Sequence, residues 1–197
     1  METQSVPDRL IVGISGASGV IFGIRALERL STAGVETHLV MTQAAKITLA
    51  HETDYKLAHV EALASVVHRA DDIGAAISSG SFPTLGMLVA PCSIRSLSEI
   101  ASGVTSGLLA RAADVALKER RRVVLMVRET PLHAGHLKSM LAATEMGAII
   151  APPVPAFYGR PGTLDDIVDH TVGRALDLFG IRVDGVHRWQ GTRRPAG

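Results

Sequence analysis

Short apolar runs alternate along the chain with longer stretches in which apolar residues recur every three or four positions. The short runs predict strands at 10–14, 35–41, 86–90, 122–127 and 148–151. The longer stretches predict helices at 20–31, 44–50, 57–69, 93–101, 107–119 and 163–179, with one more after Pro131. Strand and helix alternate at least five times, which predicts an α/β fold of three layers: a doubly wound, mostly parallel sheet with helices on both faces.

The chain of 197 residues is expected to form a single domain, because no linker within 1–197 is long enough to divide it. We expect an ordered core over about 9–181 and a polar tail over 182–197 that is poorly ordered away from Trp189. Aromatic residues make up only 4% of the chain, so the core is expected to rest on Ala, Val, Ile and Leu.

Composition excludes several classes of protein. Lys and Arg number 20 against 19 Asp and Glu, and the resulting charge of +1 argues against a polycationic nucleic-acid binder. No run of about 18 uncharged apolar residues predicts a membrane span. The only cysteine, Cys92, cannot form an intrachain disulfide, and residues 1–9 lack the apolar centre of a secretion signal. We therefore expect a cytoplasmic protein.

Ligands of doubly wound sheets bind outside the carboxyl ends of the strands, so the loops after 14, 41, 90, 127 and 151 are the candidate site. The first loop, Gly13 to Gly19, is rich in Gly and Ser and precedes a helix, a pattern typical of anion binding. Its glycines do not match the dinucleotide fingerprint, and no acidic residue ends the second strand. The pattern favours a mononucleotide phosphate, with an ordinary tight turn as the alternative.

The third and fourth strands also end in polar residues. Ser93 either binds a ligand through its hydroxyl or only caps the next helix, and Cys92 is predicted to be a small buried apolar residue. Arg128 and Glu129 could grip phosphate and move protons, or form a structural ion pair. His133 and His136 have no accompanying ligands at metal-binding spacing, so no metal site is expected.

Seven motifs occur in an order that resembles the UbiX family of flavin prenyltransferases, from about 10 to 189. They are ISGASG at 14–19, HETD at 51–54, SSGS at 78–81, PCS at 91–93, RAADVALKER at 111–120, VRETP at 127–131 and PPVPAFY at 152–158. The resemblance implies a Rossmann- or flavodoxin-like fold of the type found in homo-oligomeric flavin-containing decarboxylases, assembled as a dodecamer with sites between subunits.

The same resemblance implies an activity. A dimethylallyl group passes from dimethylallyl monophosphate to N5 and C6 of reduced FMN, no metal takes part, and the prenylated FMN serves a UbiD-type decarboxylase.

The resemblance also implies roles for particular residues. Contacts to FMN fall on Gly16, Ala17, Ser18, Thr42, Ser93, Ile94, Arg95, Ser96 and Arg128. Tyr158 and Arg174 would hold dimethylallyl phosphate, and Tyr158 and Trp189 are the aromatic residues available to shield an allyl cation. The catalytic candidates are Ser18, Glu52, Lys118 and Glu129.

Two other functions remain open at this point. One is a flavin-dependent cysteine decarboxylase, which needs a histidine early in the second βα region, where His51 lies within the HETD motif. The other is an FMN-binding accessory subunit of a decarboxylase that performs no chemistry.

Overall fold

The structure, a computed structural model, describes residues 8–189 and 191. Six strands form one sheet: β1 (Arg9–Ile14), β2 (Glu36–Met41), β3 (Val66–His68), β4 (Gly86–Cys92), β5 (Arg122–Val127) and β6 (Ile149–Ile150). The α-helices are α1 (Val20–Thr32), α2 (Gln43–Glu52), α3 (Leu57–Ala62), α4 (Ile94–Ser102), α5 (Leu108–Lys118), α6 (Ala134–Glu145) and α7 (Leu164–Asp177). Short 3₁₀ turns lie at Ala76–Ser78 and Phe157–Gly159.

The sheet has the order β3-β2-β1-β4-β5-β6, and all five strand pairings are parallel. Successive strand residues point to opposite faces, so each face has its own apolar layer. One layer packs β1 residues such as Leu10 and Val12 against α1 and α7. The other packs β4 residues such as Met87 and Val89 against α4 and α5. The prediction of a doubly wound, three-layer parallel sheet is confirmed.

The strand order reverses between β1 and β4, where the chain has crossed from one half of the sheet to the other. At such a switch point the connections on the two sides diverge and leave a crevice beyond the carboxyl ends of the strands. The loops after β1 and β4 therefore border the place where a ligand is expected. We call this edge of the sheet the carboxyl rim.

The predicted helix at 57–69 is wrong in its second half. Helix α3 ends at Ala62, and Val66–His68 form the edge strand β3 beside β2. Ser65 makes the change possible: its hydroxyl accepts from the N–H of Thr37 (3.0 Å), while its own N–H donates to Thr37 Oγ1 (3.0 Å). Because Val66 and Val67 are β-branched, they favour the extended conformation once this junction is fixed.

The prediction that the strand at 86–90 stops before Pro91 is also wrong. Strand β4 continues to Cys92, with a cis Ala90–Pro91 peptide and a shift of register against β5 between Val89 and Cys92. Proline has no N–H for the ladder, but the Pro91 carbonyl is bonded to Ser15 of the neighbouring rim loop.

Within residues 8–189, no helix is long and apolar enough to cross a membrane; the longest, α7, has 14 residues. Residues 182–189 of the polar tail lie against α7, and the tail's residues 190 and 192–197 fall outside the part of the chain that the structure describes.

Candidate functional site

Ser15 joins the rim loops that follow β1 and β4. Its buried hydroxyl donates to the carbonyl of Pro91 (2.9 Å) and accepts from the N–H of Ser93 (2.7 Å). Next to it, Gly16 lies so close to α2 that a Cβ would be 2.3 Å from the Cβ of Ala44. These contacts hold the starts of α1, α2 and α4 at one place. Sequence reasoning placed Ser15 in the loop but missed its bridging role; its position where a dinucleotide fingerprint has glycine was the available signal.

Replacing Ser15 with Ala is expected to lower the free energy of unfolding by about 1–3 kcal/mol, because the N–H of Ser93 loses its partner in a part-buried setting. Chemical denaturation measures the change. Ser102→Ala is the control, since its exposed hydroxyl bonds only carbonyls of its own helix and its loss should change stability by less than about 0.5 kcal/mol. Equal stability of the Ser15 variant and the wild type would contradict the bridging role.

A cavity of about 490 Å³ lies among the rim loops. Its lining includes Gly16, Thr42, Ser93, Ile94, Arg95, Ser96, Gly107 and Glu129. Two helices begin beside it, α2 with Thr42 accepting from Ala45 N–H (3.1 Å) and α4 with Ser93 accepting from Ser96 N–H (3.2 Å). Helix N-termini carry partial positive charge and favour anions. Ser93 therefore both caps its helix and lines the cavity, so the two alternatives for this residue are compatible.

A second cavity of about 520 Å³ adjoins the first at Glu129. It brings together Ser18, Arg128 and Glu129 with the proline-rich segment 152–155. The Arg128 side chain is exposed and makes no ion pair with any residue that the structure describes, so the structural pair with Glu129 is not formed. Glu129 instead accepts from the N–H of Thr130 (3.0 Å). A free guanidinium in this position can bind a phosphate.

Glu52 reaches this rim from the end of α2. Its Oε2 accepts from the N–H groups of Gly19 (2.8 Å) and Val20 (3.3 Å) at the start of α1. Gly19 has a φ of 99°, a left-handed conformation that glycine adopts without strain. The carboxylate is thus held beside Ser18 as the cap of a different helix, which is a more specific position than a solvated helix end.

Tyr158, Arg174 and Trp189 form a group near the β6 edge of the sheet. The Tyr158 hydroxyl lies 2.9 Å from His170 Nε2, and its ring meets that of Trp189 edge-on at 6.0 Å. Arg174 lines a cavity of about 220 Å³ together with Pro152 and Val154, which also line the Arg128 cavity. Arg174 therefore borders the rim site, while Tyr158 and Trp189 pack against each other beside α7 and are 46% and 61% exposed.

Lys118 is not brought to this site within one chain. Helix α5 begins at Leu108 near the rim and runs about 16 Å to Lys118, beside the start of β5. The Lys118 ammonium pairs with Glu119 next to Gly80, at the amino ends of the strands. Within one chain, Arg128 thus lies at the carboxyl ends of the strands and Lys118 at their amino ends.

Cys92 is fully buried at the end of β4, and this burial raises the pKa of its thiol to about 12. The prediction of a small buried apolar residue is confirmed. Because a protonated, inaccessible thiol is a poor nucleophile, iodoacetamide at pH 8 should leave the native protein unlabelled and add one group after unfolding. Intact-mass measurement is decisive because Cys92 is the only cysteine. Labelling of the folded protein as fast as the unfolded chain would contradict this prediction.

Among residues 8–189 and 191, no group of three or more His, Cys, Asp or Glu side chains could hold a metal ion. The rings of His133 and His136 lie 3.6 Å apart, and His133 Nδ1 accepts from the N–H of Gly135 as the cap of α6.

The fold and the rim cavities define a mononucleotide-binding protein of the doubly wound class. The Flavoprotein family model matches residues 1–176. Flavin prenyltransferase UbiX of Escherichia coli K12 is 61% identical over 187 residues, covering 93% of this chain and 99% of the relative.

Two solved structures are similar in both sequence and fold. AnUbiX in complex with FMN and dimethylallyl pyrophosphate is 48% identical with a TM-score of 0.94, covering 95% of this chain and 100% of that one. A dodecameric FMN-dependent UbiX-like decarboxylase from Escherichia coli O157:H7 is 50% identical with a TM-score of 0.90, covering 93% and 100%. The chain belongs to the UbiX family of flavin prenyltransferases.

Proposed function

We propose that this protein transfers the dimethylallyl group of dimethylallyl monophosphate to reduced FMN, forming bonds to N5 and C6 and releasing phosphate. The family assignment supports the reaction class, and AnUbiX was solved with FMN and a dimethylallyl donor. The observation that carries the proposal here is the pair of cavities that meet at Glu129. One suits a flavin mononucleotide and the other a short prenyl phosphate.

The first cavity would hold FMN through groups already oriented by the fold. The starts of α2 and α4 offer N–H groups and the hydroxyls of Thr42 and Ser93, and Gly16 permits close approach of the ligand. Ile94, Arg95 and Ser96 follow on α4, and Ala17 precedes Ser18 in the first loop. FMN supplies the nucleophilic ring atoms, while the chain positions them and excludes water.

The second cavity would hold the donor. Cleavage of the allylic C–O bond leaves the bonding electrons on phosphate, so cationic groups near that oxygen stabilise the transition state. Arg128 and Arg174 occupy adjoining cavities on this side. Tyr158 and Trp189, whose rings pack together, are the aromatic residues that would shield the developing allyl cation. Ser18 and Glu129 line this cavity and Glu52 lies beside it, so these residues are the candidates to take the protons that leave N5 and C6.

We further propose that the working unit is a homododecamer and that Lys118 serves the site of a neighbouring copy. The related UbiX-like protein from Escherichia coli O157:H7 is dodecameric. Lys118 lies at the edge opposite its own chain's rim cavities, so it can reach a phosphate only across an interface. Delivery of the product to a UbiD-type decarboxylase and a cytoplasmic location remain predictions.

The test is anaerobic incubation of the purified protein with reduced FMN and either dimethylallyl monophosphate or the diphosphate. We expect mass spectrometry to detect a flavin heavier by one prenyl unit, with free phosphate, in the monophosphate reaction. Bound but unmodified FMN with both donors would refute transfer and favour the accessory subunit. Release of CO2 from a peptidyl or pantothenoyl cysteine would identify a cysteine decarboxylase.

A further inference from the structure

The segment 182–189, which we call the C-terminal segment, packs against one side of α7. A Cβ on Gly173 would lie 2.1 Å from Cγ2 of Val186, so the close approach requires glycine on the helix. The carbonyl of His187 accepts from the Tyr158 hydroxyl (3.3 Å) and lies 3.2 Å from His170 Nε2. The segment ends with Trp189 against Tyr158.

Asp177 makes the ionic contacts that fasten this segment. Arg188 binds the carboxylate with both terminal nitrogens, Nη1 to Oδ2 (2.8 Å) and Nη2 to Oδ1 (2.7 Å). Arg174 Nη1 donates to the same Oδ2 (2.6 Å). The Asp177 side chain is only 13% exposed, and the two guanidinium groups, Arg188 foremost, hold its pKa below the usual range. The carboxylate is therefore charged at neutral pH and accepts hydrogen bonds from both guanidinium groups.

We propose that Asp177 is a positioning residue for prenyl transfer, which orients Arg174 toward the donor phosphate and, through Arg188, holds Trp189 against Tyr158. The inference rests on the function proposed above. Arg174 gives one N–H to Asp177 and keeps its other donors for the adjoining cavity. One carboxylate against two guanidinium groups leaves a net positive charge for phosphate. The phosphate ligand and the aromatic wall are thus fixed by one group that touches neither substrate.

Asp177→Asn is the main test, made on the full chain with FMN bound. We expect the KM for dimethylallyl monophosphate to rise about tenfold, because loss of the charge weakens both guanidinium contacts, with little change in FMN affinity. Trp189 is the only tryptophan, so acrylamide quenching of protein fluorescence reports the C-terminal segment directly. Quenching should increase in the variant.

Asp165→Asn is the matched control, because Asp165 lies on the same helix but pairs with Arg25 of α1 (2.8 Å). It should leave both KM and quenching unchanged.

Arg188→Gln keeps the Arg174–Asp177 pair, so it should increase quenching with a smaller rise in KM. This variant replaces Asp177→Asn as the test if the Asp177 variant folds poorly. Wild-type quenching in both Asp177 and Arg188 variants, or an equal rise in KM in the control, would overturn the proposal. Absence of prenyl transfer in every protein, wild type included, would refute the proposed function, while the quenching data would still decide whether Asp177 fastens the segment.

Discussion

Glu52→Gln is expected to lower turnover by at least about 10²-fold while the protein still binds FMN, the size of loss typical when a group that moves a proton is removed. The Glu52 carboxylate is fixed by Gly19 and Val20 N–H groups through Oε2, which leaves Oε1 to take a proton beside Ser18. The amide can accept the same backbone bonds but cannot act as a base. Single-turnover mass spectrometry gives the rate, and a fluorescence titration gives the FMN affinity.

Because Glu52 also caps α1, loss of stability must be separated from loss of chemistry. Asp166 offers a matched control, since its Oδ2 accepts from the N–H groups of Gly162 (2.9 Å) and Thr163 (2.8 Å) at the start of α7. Asp166→Asn should cost about 1 kcal/mol of unfolding free energy with unchanged turnover. Similar stability loss in the two variants, with activity lost only in the Glu52 variant, assigns the effect to chemistry. Normal turnover in Glu52→Gln would remove this residue from the mechanism.

The central strands could be predicted from the sequence because they are buried on both faces and therefore read as unbroken apolar runs, as in the five consecutive residues from Leu10 to Ile14. Strand β3 could not be predicted in this way. It has three residues at the sheet edge, with Val67 45% exposed, and its conformation depends on the Ser65–Thr37 contacts across 28 positions of sequence. An edge strand of this kind is specified by its neighbour rather than by its own pattern.

The rim site could be predicted for a related reason. Parallel strands deliver all their carboxyl ends to one edge, so a Gly-rich loop after β1 and polar residues after β4 and β5 must meet there. Helix α7 is different, because Asp177 faces Arg188 only after the C-terminal segment folds back along the helix. Arg174, Asp177 and Arg188 are visible in the sequence, but the sequence does not show that their charged groups are in contact. The resemblance to a family named Arg174, and the need to shield an allyl cation named Trp189, whereas the carboxylate between Arg174 and Arg188 became evident only in the structure.

Lys118 lies at the amino ends of the strands, because α5 runs from the carboxyl rim to the start of β5. If it stabilises the leaving phosphate from a neighbouring copy, Lys118→Met should lower turnover about 10²- to 10³-fold, as for other groups that stabilise developing negative charge. FMN binding should persist, because the 490 Å³ cavity is lined without Lys118. Turnover within twofold of wild type would exclude Lys118 from the reaction.

Mixed oligomers then distinguish a residue acting across an interface from one acting in its own chain. Lys118→Met and Glu129→Gln chains, each inactive alone, are co-expressed with different tags and purified as mixed assemblies. If Lys118 of one copy serves Glu129 of another, about one site in four receives both intact residues, because the two are drawn from separate subunits of a symmetric assembly. If both act within one chain, no site is intact and activity does not return.

The control is co-expression of Lys118→Met with the double variant, which carries both Lys118→Met and Glu129→Gln. This mixture should stay inactive, since no subunit then supplies the ammonium group. Recovery only in the first mixture would locate each prenyl-transfer site between subunits.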